Sequence, residues 1–191
     1  MYTDTITLFV RKEGDEGDTW YPSVLRNVHL NMDKAAILAK YGADSADSAV
    51  LHIRYRQNGK DKMVGDKRWI PPKQWETLGN PAKDITFTSG NRFDFFWFGD
   101  WGNENPVHDS DYAGTSSPGF YQYMNKTMDY VFAITSVGGP YSVIPHFEIM
   151  VPIQIPDAGC RAGAWSRLST ADGRSRRCAS LLRQISAQNA S

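Results

Sequence analysis

Alternation of apolar and polar residues is the strongest regular pattern along the chain, and it predicts β-strands. Residues 3–10 (TDTITLFV) and 19–30 (TWYPSVLRNVHL) alternate and are rich in β-branched side chains, with the polar turn RKEGDEGD between them. Residues 49–65 (AVLHIRYRQNGKDKMVG) alternate around Asn58-Gly59, a dipeptide that strongly signals a tight hairpin turn. We therefore predict antiparallel hairpins in the first third of the chain.

Two later segments extend the strand pattern. Residues 84–99 (DITFTSGNRFDFFWFG) return to strands around a TSGN turn. Residues 129–149 (DYVFAITSVGGPYSVIPHFEI) predict two strands joined by a VGGP turn. The strands of the domain thus follow one another in hairpins.

Helical signals are short and occur in three places. Residues 31–42 (NMDKAAILAKYG) place Asn31 as an N-cap before an apolar stripe and end on a glycine. Pro72 suits the first position of a helical turn, and Ser117 with Pro118 predicts the start of another helix. We therefore predict an α+β, β-dominated fold, with a mostly antiparallel small barrel or rolled sheet and two or three short helices.

Composition divides the chain into a domain over residues 1–156 and a tail over residues 157–191. The first part carries 15 basic and 19 acidic residues, whereas the tail has six arginines, no lysine and two aspartates. Three interpretations of the tail stay open: a disordered basic arm, a short helix that docks on a neighbour, or an extension with no selected role. Cys160 and Cys178 match no metal-binding spacing, and we expect no disulfide between them in the cytosol.

The overall charge and hydropathy exclude several classes of protein. The formal net charge is zero, so no global field recruits nucleic acid or an anionic membrane. No run approaches the roughly 18 apolar residues that a membrane helix needs. The first residues lack the basic region and cleavage site of a signal peptide, so we expect a cytoplasmic protein.

Residues 91–101 (NRFDFFWFGDW) hold six aromatic side chains, the densest aromatic stretch in the chain. In a strand, one face carries Phe93, Phe95 and Trp97, and the other carries Arg92, Asp94, Phe96 and Phe98. A base-stacking platform would interleave its aromatics with several basic residues, but Arg92 is the only cation here. We predict a strand buried on one side and partly covered on the other, in the core or at an interface.

The long loop that follows gathers potential ligands: Asp100, Glu104, His108, Asp109 and Asp111. Carboxylates with a histidine suit a metal ion, yet the spacing matches no known calcium or zinc motif. Asn, Asp, Gly and Pro are also the residues that any turn-rich loop uses for its own backbone hydrogen bonds. We expect no bound metal here and treat the loop as a candidate interface.

The remaining histidines do not form a recognisable catalytic motif. His52 falls on the wetter face of its strand, and His146 shares a strand face with Glu148 two residues on. A His–Glu pair suits a proton relay, but no nucleophile motif accompanies it. We therefore expect structural histidines, no enzymatic activity and no cofactor.

Several segments carry a family resemblance. Residues 5–30, with the form strand, acidic turn and W-x-x-x-V-L-x-x-V, resemble the start of small head–tail joining and minor capsid proteins of tailed phages and prophages. The segments KAAILAKYGA, VGDKRWIPPKQW and YMNKTMDYVFAITSVGGPYSVIPHFEI resemble short, uncharacterised proteins from prophages of gut Firmicutes. The resemblance covers most of residues 1 to about 149, and the residues that follow HFEIM depart from it.

The resemblance implies a virion structural protein, a head-closure or tail-completion subunit of the head–tail connector. Its expected partners are portal, adaptor and tail proteins, in a homo-oligomeric ring, without membrane or sequence-specific nucleic acid. Its expected locations are the virion and, before assembly, the host cytoplasm. The residues that we place at the interface are Trp20, Tyr21, Asp100, Trp101, His108 and Asp111.

Two other functions stay open. A carbohydrate- or receptor-binding β-module of a phage tail would use exposed tryptophans and the acidic loop. A small hydrolase would use His108 or His146 with nearby carboxylates.

Overall fold

A computed structural model of the chain describes residues 2–15, 17–33, 48–89, 94–114 and 118–152. The chain divides into two units, Met1–Gln154 and Ile155–Ser191, and every described residue belongs to the first. The helix predicted over residues 31–42 lies outside the described residues from residue 34 onward, as do Ser117 and the tail. No helix among the described residues is long and apolar enough to cross a membrane.

Twelve strands and two α-helices make up the described secondary structure. The strands are β1 (Asp4–Lys12), β2 (Thr19–Asn31), β3 (Ser48–Arg54), β4 (Arg56–Asn58), β5 (Asp61–Val64), β6 (Lys67–Trp69), β7 (Asp84–Ile85), β8 (Phe95–Trp97), β9 (Val107–His108), β10 (Val131–Ala133), β11 (Ser136–Tyr141) and β12 (His146–Pro152). The helices are α1 (Pro72–Glu76) and α2 (Phe120–Thr127), and short 3₁₀ helices cover Pro81–Lys83 and Asp109–Asp111.

The strands form two sheets. The larger has the order β10-β8-β1-β2-β3-β12-β11, with β9 paired to β2 beside this path, and all its pairs are antiparallel. The smaller has the order β4-β5-β6-β7, with one parallel pair between β6 and β7. The predicted β-dominated α+β fold, with a mostly antiparallel sheet, is confirmed.

The larger sheet is rolled. Its two edge strands, β10 and β11, are consecutive in the chain and separated only by Ile134 and Thr135. The N–H of Ile134 donates to the carbonyl of Asp94 (2.8 Å), just before β8, and that of Thr135 donates to the carbonyl of Met150 in β12 (2.9 Å). These two successive residues thus contact strands near opposite edges of the sheet, β8 and β12. The sheet therefore curls so that its two edges approach each other, but it does not close into a barrel.

Both faces of the larger sheet are buried at β8, and this separates two hydrophobic cores. Phe95 and Phe96 are neighbours in the strand and both are 0% exposed. Phe96 points into the main core, where its ring lies 5.1 Å from that of Phe132. Phe95 points the other way and stacks on Phe9, at 4.8 Å, in a second core with Phe120 of α2. The described part of the aromatic stretch therefore contains a core strand, as predicted, and β8 is covered on both faces. Arg92 and Phe93 lie outside the described residues.

The main core fills the space between the larger sheet and the segment from β6 to β7. Trp75, the buried residue of α1, is 1% exposed and meets the ring of Tyr21 edge-on at 5.6 Å. Phe147 of β12 is surrounded by the rings of Tyr55, Trp69 and Phe87. Full burial of one such side chain stabilises the fold by about 1.5–3 kcal/mol.

Sequence patterns placed some boundaries correctly and others not. The hairpin at Asn58-Gly59 is present, with Gly59 at φ 61°, and α1 begins at Pro72 as predicted. The predicted VGGP turn was wrong, because these residues lie inside β11 and the turn comes at residues 142–145. A proline is tolerated there since β11 is an edge strand with a register shift after Gly138. The helix predicted to start at Pro118 starts at Phe120.

Asp94 is the most deeply buried acidic residue described, although the sequence placed it on the more open face of its strand. Its carboxylate accepts the backbone N–H of Arg11 (3.0 Å) and that of Thr88 (2.6 Å), and it is 0% exposed. Burial raises the pKa of Asp94 to about 7, although the two N–H donors and the charge of Arg11 act to lower it. The folded state therefore holds a proton on Asp94 at pH values where an exposed carboxyl has lost it.

We expect Asp94 to make stability fall as the pH rises from about 4 to about 7. Its protonated form contributes stability that is fully present below the ordinary pKa of 3.8 and is lost as the pH rises through about 7. The variant Asp94→Asn cannot titrate, so the free energy of unfolding of wild type relative to this variant should drop by about 2–3 kcal/mol between about pH 5 and about pH 8. Urea denaturation at both pH values measures it, and an unchanged difference would contradict the prediction.

Candidate functional site

The long acidic loop after β8 is held closely against the larger sheet. Thr7 of β1 donates its hydroxyl to the carbonyl of Gly99 (2.8 Å) and accepts the N–H of Trp101 (3.0 Å). Asp100 forms an ion pair with Arg26 of β2, at 2.6 Å. The start of the loop is thus fixed by the sheet beneath it.

Glu104 and Lys67 anchor the middle of the loop. The ammonium of Lys67 is nearly buried, donates to Ser23 and to the carbonyl of Pro22, and pairs with Glu104 at 3.1 Å. The second carboxylate oxygen of Glu104 accepts the N–H of Val24 (3.1 Å). A buried lysine is costly unless it is paired, so this contact ties the loop to β2 and β6.

Asp109 anchors the end of the loop. One of its carboxylate oxygens accepts both the indole N–H of Trp20 (2.7 Å) and the backbone N–H of Phe120, the first residue of α2 (3.0 Å). Gly119 permits this approach, because a Cβ there would lie 2.8 Å from the other oxygen of Asp109. Asp109 therefore links the loop, β2 and α2 through one side chain.

The six residues predicted at an interface occupy different environments. Trp20 is buried, so core packing explains this tryptophan, and Tyr21 is half-buried against Trp75. Trp101 is half-buried among aromatic rings of the second core. Asp100, His108 and Asp111 are exposed along the loop, where His108 contacts Thr19 at 3.1 Å. Asp100, His108 and Asp111 are therefore accessible to a partner, whereas Trp20 lies in the second core.

The loop does not gather its carboxylates around one point. Asp100, Glu104 and Asp109 each contact a different part of the sheet. Across the described residues, one group of three potential ligands is close enough to share an ion, and it lies elsewhere, at His52, His146 and Glu148. The expectation of no metal at the loop stays a prediction. The candidate metal centre lies instead on strands β3 and β12 of the larger sheet.

Strand register builds this histidine–glutamate cluster, defined as His52, His146 and Glu148. Strand β12 pairs with β3 so that Glu148 lies opposite His52, and β2 pairs with β3 so that His29 lies opposite His52 on the other side. The neighbouring residues Phe147 and Ile149 point into the main core. Because side chains alternate along a strand, the cluster projects from the opposite face of the sheet.

The three side chains of the cluster are in direct contact. Nε2 of His146 lies 3.3 Å from Oε1 of Glu148, and Nδ1 of His52 lies 3.8 Å from the same oxygen. The rings of His52 and His146 are 5.7 Å apart, and that of His29 stacks on His52 at 6.1 Å. The cluster side chains are 13–19% exposed, so they are shielded from bulk water but reachable from the surface.

The turn between β11 and β12 presents the most exposed apolar surface described. Val143 is 96% exposed, Ile144 is 64% exposed and Tyr141 is 44% exposed, and these are the exposed large apolar side chains of the described residues. We call residues 141–145 the hairpin tip. Its backbone is held by Tyr55, whose hydroxyl donates to the carbonyl of Tyr141 (2.7 Å) and whose N–H donates to that of Pro145 (3.2 Å).

Two clefts among the described residues are both too small for a drug-sized ligand. One has a volume of about 80 Å³ and is lined by charged residues around Arg11 and Glu76. The other has a volume of about 160 Å³ and lies between β2 and the start of β4. Sites for small organic ligands usually enclose roughly 300–1,000 Å³. The cluster and the hairpin tip are therefore the stronger candidates for function.

Comparison with known proteins identifies the family of the chain but gives no function for it. The chain belongs to a family of unknown function, DUF6751, whose model matches residues 1–151. No curated protein and no solved structure matches the chain. The match covers the part of the chain that contains both candidate sites.

We expect Asp109→Ala to destabilise the protein by about 1–3 kcal/mol, because it leaves the buried indole N–H of Trp20 and the N–H of Phe120 without their acceptor. The matched control is Asp111→Ala, which removes an exposed carboxylate from the same loop and should change stability by less than about 0.5 kcal/mol. Urea denaturation followed by tryptophan fluorescence measures both variants. Equal effects would show that Asp109 does not anchor the loop.

Proposed function

We propose that this DUF6751 protein is a non-enzymatic structural subunit of a phage or prophage virion, in the ring that connects head and tail. The observation that carries the proposal is the hairpin tip, which exposes Val143 and Ile144 on a turn held in place by Tyr55. The sequence resemblance to head–tail joining proteins supports the same role.

The hairpin tip has the properties of an assembly contact. Exposed apolar side chains that lie together on a rigid element commonly mark protein–protein contacts, because their burial against a partner is favourable. Val143 and Ile144 are adjacent and have few rotamers to lose, so little side-chain entropy opposes their burial. A tip that inserts into a different surface of the next subunit makes a head-to-tail contact, and such contacts generate rings when the rotation closes.

The acidic loop suits the second surface that such a ring needs. His108 and Asp111 are exposed, while Asp100, Glu104 and Asp109 contact the sheet and hold the loop. A loop of this kind can present charged side chains to a partner without losing its own conformation. Polar rims around a small apolar contact are typical of protein interfaces.

A carbohydrate-binding tail module is a weaker proposal for this geometry. Sugar binding by stacking requires an indole with an open face, and Trp101 is the half-exposed tryptophan that the loop provides. Its ring is packed by Phe9, Trp97 and Phe120 at 5.5, 6.2 and 5.7 Å. Binding of this protein to a glycan array would nevertheless favour the tail module over the connector.

We expect the chain to be present in purified particles after prophage induction, at about one copy per portal subunit, because ring layers of a connector share their symmetry. Quantitative mass spectrometry of the particles, with the portal protein as the internal reference, measures the ratio. Absence from the particles would overturn the proposal, and a variable ratio would place the chain outside the connector.

We expect Val143→Asp to lower incorporation into particles by about tenfold or more, because it replaces the apolar side chain that the partner would bury with a carboxylate that is costly to bury. The matched control is Ser142→Asp, which adds the same charge at an exposed neighbour and keeps both apolar side chains. Complementation of a deletion strain, followed by particle mass spectrometry, compares the two. Equal incorporation of both variants would contradict a role for the tip.

A further inference from the structure

We infer that His52, His146 and Glu148 bind a divalent transition-metal ion of the zinc class on the face of the sheet opposite the main core. Each residue offers one ligand atom, and the three atoms lie within 4.8 Å of one another. The site does not depend on the proposed assembly role and can be tested without it.

The hydrogen bonds of His146 determine which of its nitrogens faces the site. Its Nδ1 lies 2.6 Å from the carbonyl oxygen of Ile144. A carbonyl oxygen only accepts, so Nδ1 carries the proton and donates. In the neutral ring the lone pair is then on Nε2, which lies 3.3 Å from Oε1 of Glu148. Two acceptors face each other at this distance, so the contact needs either a metal cation or a proton between them.

The spacing of the three donors fits a metal ion. Bonds of about 2.1 Å to a tetrahedral zinc ion place neighbouring ligand atoms about 3.4 Å apart. The nitrogen of His146 and the nitrogen of His52 lie 3.3 and 3.8 Å from the shared oxygen of Glu148. Shifts of less than about 1 Å would bring these two contacts to tetrahedral spacing, and the three side chains would leave the fourth position of the ion to water.

The donor set favours a transition metal over calcium or magnesium. Two imidazole nitrogens and one carboxylate suit zinc and its neighbours in the first row, whereas magnesium and calcium prefer oxygen ligands. Histidines that bind metals usually donate their other N–H to a carbonyl or a carboxylate, which fixes the ring. The bond from His146 to Ile144 is a contact of this kind.

The strands hold the ligands in position before any ion binds. His52 is in β3 and the other two ligands are in β12, and the two strands are paired over seven residues. Ligands on paired strands are placed more accurately than ligands on loops. An ion bound here would join β3 to β12 and, through the carbonyl of Ile144, would restrain the hairpin tip.

The first experiment titrates Zn²⁺ and Co²⁺ into the full chain, purified without a polyhistidine tag and carrying Cys160→Ser and Cys178→Ser. The serines are needed because cysteine thiolates are strong zinc ligands. We expect one ion per chain by calorimetry, and the visible absorption of four- or five-coordinate Co²⁺. In this background, His52→Ala and His146→Ala should each weaken binding by about tenfold or more. The matched control, His108→Ala, removes a histidine in the acidic loop and should bind as the parent does.

A second measurement guards against variants that fail to fold. Imidazole nitrogen shifts of the parent chain, recorded by NMR with and without Zn²⁺, should change at His52 and His146 and stay constant at His108. Absence of binding, or binding that is unchanged in both cluster variants, would overturn the site. The contact between His146 and Glu148 would then be a hydrogen bond, with a proton between Nε2 and the carboxylate.

Discussion

Burial of both faces of the β1–β8 pair is the constraint on which the rest of the structure depends. Phe9 and Phe95 fill one core, Leu8 and Phe96 fill the other, and all four are 0% exposed. A strand buried on both faces needs a layer on each side. The segment containing α1 and the smaller sheet covers one side, and α2 with the acidic loop covers the other. The long loop is thus part of the second core's cover, which is why so many of its polar groups have partners in the sheet.

Two buried ionisable side chains hold this arrangement together in different ways. Lys67 pairs with Glu104 and donates to Ser23 and to the carbonyl of Pro22. Asp94 lies between β1 and the chain before β8, and burial raises its pKa to about 7 although two backbone N–H groups donate to it. Both residues connect segments that are distant in the chain. Apolar side chains can pack in more than one strand register, whereas these buried polar contacts are satisfied in one register only.

Much of the fold was predictable from alternation, and the candidate metal site was not. Alternation in VLHIRY and PHFEI identified the polar faces of β3 and β12, so each ligand was placed correctly on its own strand. It says nothing about which strands pair, because register depends on contacts between segments about one hundred residues apart. Only the pairing of His52 with Glu148 brings the histidines together. The prediction of a turn at VGGP was wrong for a related reason. Glycine and proline are typical of turns, but they also occur in irregular edge strands, and the sequence alone does not show that β11 is an edge strand.

The β11–β12 hairpin carries the hairpin tip and two of the three residues of the histidine–glutamate cluster, and His146 connects the two. The tip ends one residue before His146, and the ring of His146 both bonds to the carbonyl of Ile144 and packs against Tyr141 at 5.1 Å. The ring in turn holds a carbonyl of the turn that exposes Val143 and Ile144. A metal ion on the sheet face would thus restrict the conformations of the tip, so that less entropy is lost when the tip docks on a partner.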